Sequence, residues 1–184
     1  MAGTATLDLL MMDTHSLKLM AIGDASVYTN FNPSTPTIQI TPPGFFTKTM
    51  PFTPGGVDIY NAAALGIVPE GTEECSMPDL PDGIYTFKYS VAPVNVYNVT
   101  KNFFRTYKLE QLKNKAFLKI DMIGCDGQLK RQQKMDIDDI EFYISGAIAA
   151  ANECALKRAT EIYNKAYKIA NNLIKNLDCG TCLR

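Results

Sequence analysis

All ten prolines of this chain lie between Pro33 and Pro93, whereas the 43 residues from Asp136 to Asp178 contain none and repeat apolar residues at helical spacing. Proline removes a backbone donor and interrupts helix interiors and central strands. The chain is therefore constrained to two dissimilar parts, one of short extended segments and one of helix. Charge divides along a similar line. Residues 1–100 carry 3 Lys/Arg against 9 Asp/Glu, residues 101–134 carry 9 against 3, and the rest carry 6 against 7, giving −6, +6 and −1 and the overall −1. A nearly neutral chain with so strong an internal charge dipole is expected to stack on copies of itself or on a partner.

At 184 residues the chain can bury one good core, or support a β domain with a helical appendage. Hydrophobic content of 46% with 20% charged residues excludes wholesale disorder. The apolar run from Ile144 to Ala151 is closed by Asn152 and Glu153, too short for a membrane span. The opening MAGTATLDLLMMD has no basic region and holds Asp8 within its apolar stretch, so no secretory leader is expected and synthesis in a cytoplasm follows. Five cysteines, at positions 75, 125, 154, 179 and 182, are an odd number that fits reduced thiols. Without export, no sugar is expected on the Asn98-Val99-Thr100 sequon.

From Thr4 to about Val96 the signals are strand-like, in LDLLMM, SLKLMAI, ASVYT and TPTIQI. The clearest strand is Ile84 to Val91, introduced by Leu80-Pro81-Asp82-Gly83 and ended by Ala92-Pro93. These segments predict an N-terminal antiparallel β-sandwich or barrel-like domain over residues 1–98. The stretch 33–54 is too rich in proline for a central strand and reads as an edge strand or an extended arm. Its Phe45, Phe46 and Phe52 either fold back over the sandwich or anchor the arm on a neighbouring subunit.

Residues 99–184 form the helical part of an α+β chain, a C-terminal helical hairpin with a long helix. From Thr100 the period changes: Phe103/Phe104, Tyr107, Leu109, Leu112, Ala116, Ile120 and Ile123 share a face, and Lys101, Arg105, Lys108, Lys113, Lys115 and Lys119 occupy much of the rest. This predicts a helix over about 100–123, ended by Gly124-Cys125-Asp126-Gly127. A second helix is predicted over 136–178, with Asp136, Asp138, Asp139 and Glu141 at its positive end and Lys165, Lys168 and Lys175 toward the other. Unbroken, it would be a rod of roughly 64 Å against a compact body roughly 40 Å across. It must break, at Ser145-Gly146 or near Asn152, or project and be covered by partner helices along its Ile144, Ile148, Ala151 and Ala155 stripe.

Catalytic signatures are sparse. His15 is the single imidazole, and it reads as an ordinary turn or surface residue. No dinucleotide, P-loop or HExxH pattern occurs. Cys179-Gly180-Thr181-Cys182 has redox spacing but only Leu183 and Arg184 follow it, so Gly180 reads as a helix stop. The acids at 136–141 lack an oxygen-ligand loop with its turn glycine. No catalytic residue, metal or cofactor is expected. The basic stretch from Lys101 to Lys134 can contact phosphate, but it reads first as a solvated or self-complementary face.

The stretch Asp79-Leu80-Pro81-Asp82-Gly83-Ile84-Tyr85-Thr86-Phe87-Lys88-Tyr89-Ser90-Val91-Ala92-Pro93, followed by Phe104-Arg105-Thr106 and a lysine-rich helix, resembles virion structural proteins of crAss-like bacteriophages. The resemblance covers roughly residues 79–178 and carries over no catalytic residue. It implies a ring or connector subunit of the phage neck or tail, oligomerising below the portal beside other ring proteins. Such a protein is made in the host bacterial cytoplasm, resides in the virion, needs no membrane, and lies near genomic DNA without sequence-specific binding. Together these readings nominate Phe45, Phe46, Phe52, Lys101, Arg105, Lys108, Lys113, Ile144, Ile148, Ala151 and Ala155 as subunit-interface residues. The alternatives are another virion role, as head auxiliary or cargo protein, and a monomeric carbohydrate- or protein-binding β module with a helical stalk.

Overall fold

The computed structural model describes residues 4–12, 14–30, 35–94, 96–123 and 127–178. Among the described residues eight antiparallel strands precede three α-helices, an α+β arrangement. The chain forms two compact units that divide between Arg105 and Thr106, later than the boundary expected after Asn98.

In the first unit, β1 (Thr6–Met12), β2 (Ser16–Ile22) and β6 (Val57–Asn61) form one sheet in the order β1-β2-β6. The second sheet contains β3 (Tyr28–Thr29), β4 (Thr37–Thr41), β5 (Lys48–Pro51), β7 (Gly83–Val91) and β8 (Val99–Arg105). β7 is its axis, pairing with β4 through residues 86–89 and with β8 through residues 83–89. Alternation works as the period-2 rule requires: Leu17, Leu19 and Ala21 of β2 and Tyr85, Phe87 and Tyr89 of β7 enter one shared core, together with Ile38 and Ile40. Tyr28 stands within that core, its hydroxyl 2.7 Å from the Thr6 carbonyl oxygen and 2.5 Å from that of Ile22.

The predicted arm is a β-hairpin. Pro36, Pro42 and Pro43 flank Thr37–Thr41 without interrupting it, so β4 sits between β5 and β7 as an inner strand. Pro51 is tolerated because β5 is the sheet edge. Phe52 does not reach outward: it is buried, its ring edge-on to Tyr28 with centroids 4.9 Å apart.

Residues 99–105 are strand β8 and not the first turns of a helix. Helix α1 (Tyr107–Ile123) begins only after Thr106, whose hydroxyl donates to Glu110 Oε1 at 2.6 Å. Helix α2 (Gly127–Asn152) starts well before Asp136. The four acids at 136–141 are thus inside the helix, not at its first turn. Glu141 lies 3.7 Å from Lys113 of α1, and Gln132 Nε2 donates to Asp136 Oδ1 at 3.3 Å. Helix α3 (Leu156–Asp178) completes the second unit. The predicted long helix therefore breaks, near Asn152 and not at Ser145-Gly146. The Ala155 N–H donates to Ala150 O at 2.8 Å and the Cys154 N–H to Ala151 O at 3.0 Å, with Cys154 at φ +60°. That pair of bonds is the Schellman stop, with cysteine in the left-handed position usually given to glycine. The resulting helices are about 39 and 35 Å long, so the rod problem disappears. Ile137, Ile140, Ile144, Ala166, Ala170, Leu173 and Leu177 of α2 and α3 share a core with Leu109, Ala116 and Ile120 of α1.

Candidate functional site

Two stretches distant in sequence, residues 80–83 and Arg105 at the end of β8, come together around one side chain. β7 and β8 pair in a register that sets Gly83 opposite Arg105. The Arg105 guanidinium is fully buried: Nε lies 3.8 Å from Asp82 Oδ1 and 3.4 Å from the Leu80 carbonyl oxygen, and Nη2 donates to Thr14 O at 3.2 Å. Thr14 O also accepts the Leu80 N–H at 2.9 Å. The side chain nominated as an interface cation is therefore an internal clamp. It holds the Leu80-Pro81-Asp82-Gly83 turn onto the β1–β2 connection. Arginine suits the position because its planar fork serves several acceptors at once.

The other nominated residues differ in their surroundings and exposure. Lys101 lies on β8, where its ammonium bonds the Leu7 carbonyl oxygen and sits 3.2 Å from Asp8 Oδ1. Lys113 pairs with Glu141 inside the helical unit. Ile144 and Ala151 are buried in that unit, and Ile148 is half-buried against its core, so the stripe expected to meet a partner is largely covered by α1 and α3. Ala155 is half-buried at the α2–α3 turn. Phe52 is core. What stays accessible is Lys108, Phe45 and above all Phe46, 92% exposed at the β4–β5 hairpin.

The larger exposed surface falls where the sequence reading placed no candidate. On α1 and the first turns of α2, Phe117, Leu118, Met122 and Met135 are 46, 63, 84 and 54% exposed. Asp121 lies among them, 3.1 Å from Lys130 and 3.5 Å from Lys134. The hydrogen bond from Lys130 holds its carboxyl below the usual range, with Lys134 adding to the effect. Lys134 Nζ also stands 5.9 Å from the Phe117 ring centroid. The signal was present in the sequence as apolar residues off the main helical stripe, flanked by lysine. Elsewhere, Val57 and Ile59 are exposed on β6, and a groove of about 350 Å³ runs between α2 and α3 beside Phe142, Gly146 and Arg158.

His15 is exposed, its Nδ1 3.7 Å from Asp79 Oδ1. Cys75 and Cys154 are exposed thiols outside any disulfide; Cys125, Cys179 and Cys182, with the Gly124-to-Asp126 reversal and the Gly180 helix stop, lie outside the described residues. Among the described residues no cluster of three His, Cys, Asp or Glu side chains is placed to hold a metal ion, and no helix is long and apolar enough to cross a membrane. Comparison with protein-family models, curated proteins and solved structures finds no match to the chain.

Proposed function

We propose that this protein is a structural subunit of a bacteriophage virion, a ring or connector component of the neck or tail that oligomerises below the portal. Its role is assembly and not catalysis. The observation that carries the reading is the opposition of charge between two separately compact units. Residues 1–105 hold 5 Lys/Arg against 9 Asp/Glu, a net −4, and residues 106–184 hold 13 against 10, a net +3. Unlike units on one chain favour head-to-tail contact between copies, and a head-to-tail contact closes into a ring when its rotation permits. Exposed apolar side chains on the positive unit supply surface that such a contact would bury. The resemblance of roughly residues 79–178 to crAss-like virion proteins suggests the biological context.

Native mass spectrometry of the purified chain at low and moderate salt, with imaging of any large species, tests this reading. A closed oligomer that loosens as salt screens the charges is the expected result. A strict monomer under all conditions would refute self-assembly and favour the monomeric binding-module alternative.

A further inference from the structure

We infer that the exposed face of the α1–α2 pair is a docking surface for the acidic β6–β7 segment of a second copy of this chain; the inference rests on the self-assembly reading above and names its contact. Phe117, Leu118, Met122 and Met135 expose apolar area on the order of several hundred Å², the size at which a patch marks an interaction site. Internal bonds organise the patch. Lys130 and Lys134 both reach Asp121, and Lys134 covers the Phe117 ring, so these cations are already engaged across the helix pair. Lys115 and Arg131 are exposed and make no ion pair among the described residues, leaving two cations at the margin of an apolar face.

The complementary surface is written into the same chain. Between Lys48 and Lys88 there are six Asp/Glu and no Lys or Arg. Most of these acids fall in the connection from β6 to β7, where Glu70, Glu73 and Glu74 are all exposed. Pro69 and Pro78 are exposed in the same connection and Met77 is half-buried, so the segment offers apolar contact beside its carboxylates. A basic, apolar face on one unit and an acidic, partly apolar segment on the other is a heterologous pair that repeats from copy to copy. An outside polyanion is a weaker candidate, since the whole chain carries −1 and exerts no net long-range attraction on phosphate.

The test exchanges the charges in the full-length protein. One variant carries K115E and R131E, the other E70K, E73K and E74K, all at exposed positions and each checked for an unchanged circular-dichroism spectrum. Sedimentation at low salt should show each variant alone associating about tenfold more weakly than the wild type. An equimolar mixture should recover association, because each reversed surface then meets a reversed partner. A third variant, L118S with M122S, should weaken association without the salt dependence of the charge variants. If the wild type assembles and both charge variants assemble equally well, the docking contact is wrong while self-assembly stands. A mixture that fails to recover association likewise overturns the contact. A wild type that stays monomeric at every concentration overturns both. In that case, loss of binding of the K115E/R131E variant to anionic vesicles or to duplex DNA would reassign the face to that partner.

Discussion

Replacing Arg105 by Met should cost the β unit about 3–5 kcal/mol, far more than loss of a surface ion pair. The magnitude follows from burial. The guanidinium is 0% exposed and the Asp82 side chain 4%, with 3.8 Å between Nε and Oδ1. At an effective dielectric of about 20, unit charges at that separation attract by roughly 4 kcal/mol. Each ion has also given up hydration worth several kcal/mol, so the intact pair contributes little beyond what an apolar pair would. The cost appears when one partner is removed alone. Methionine fills much of the volume but leaves the Asp82 carboxylate buried without the guanidinium, and takes the donors from Leu80 and Thr14. Exchanging Asp82 for Asn in the same molecule removes the stranded charge, so the double variant should fall short of the summed single losses by about 2–3 kcal/mol. Urea unfolding followed by circular dichroism reads this directly. With a slope of about 2 kcal/mol per molar, the single variant should move the midpoint down by about 2 M at unchanged slope. A single-variant loss below about 1 kcal/mol, or strict additivity in the double variant, would refute the clamp.

Phe52→Ala should cost about 3–5 kcal/mol, because a buried ring leaves a cavity beside Tyr28, whereas Phe46→Ser should fall within about 0.5 kcal/mol of the wild type in the same urea assay. The hairpin's part in assembly is therefore tested by F45S/F46S alone, whose folded monomers should still give a wild-type melt. Cys154→Gly should raise the thermal midpoint of the 222 nm signal, corresponding to about 0.5–1 kcal/mol, by relieving the left-handed backbone strain at φ +60°; a lowered midpoint would contradict the Schellman assignment. Burial raises the Tyr28 phenol to about 12, and burial also raises Tyr60, Tyr85 and Tyr89. In the unfolded chain these phenols ionise near 10. The stabilisation is complete below pH about 10 and is lost as pH rises toward 12. Ultraviolet titration should accordingly show part of the nine tyrosines ionising only with unfolding.

The β unit was legible wherever alternation was strict. Ile84 to Val91 announces itself because Tyr85, Phe87 and Tyr89 alternate with Thr86 and Lys88, and β7 carries that pattern into the core. β8 was misread because Phe103 and Phe104 are adjacent, so one of them always fits a helical face continuing to Tyr107 and Leu109. The β-branched Val99 and Thr100 were the contrary signal. Arg105 was unreadable as a buried residue, since its burial depends on acceptors from Thr14, Leu80 and Asp82 that only the folded chain assembles. The start of α2 was hidden by Gln133. That residue occupies a buried position in the series Leu129, Gln133, Ile137, Ile140 and Ile144, so a polar side chain interrupts an otherwise regular stripe. Nor is there a glycine or proline at Cys154 to mark the end of α2.

The folded positions of the charged side chains decide how much of their field reaches beyond the chain. The sequence places +6 on residues 101–134, yet Lys101 and Arg105 belong to the negatively charged unit and are used there against Asp8 and Asp82. Lys113, Lys130 and Lys134 are used between α1 and α2, against Glu141 and Asp121. Charge that is spent in holding a unit together contributes little to drawing a second copy near, because its field is that of a close pair and falls off within a few ångströms. A block of like charge read from sequence therefore overstates the field available for assembly. On the α1–α2 face the remainder is local: Lys115 and Arg131 beside exposed Phe117, Leu118, Met122 and Met135, while the acids at 70, 73 and 74 of the β unit are likewise exposed. In the proposed contact, charge would orient the two copies and apolar burial would hold them. The same division explains why the alanine stripe, so prominent in the sequence, says little about partners, while residues lying off that stripe carry the exposed surface.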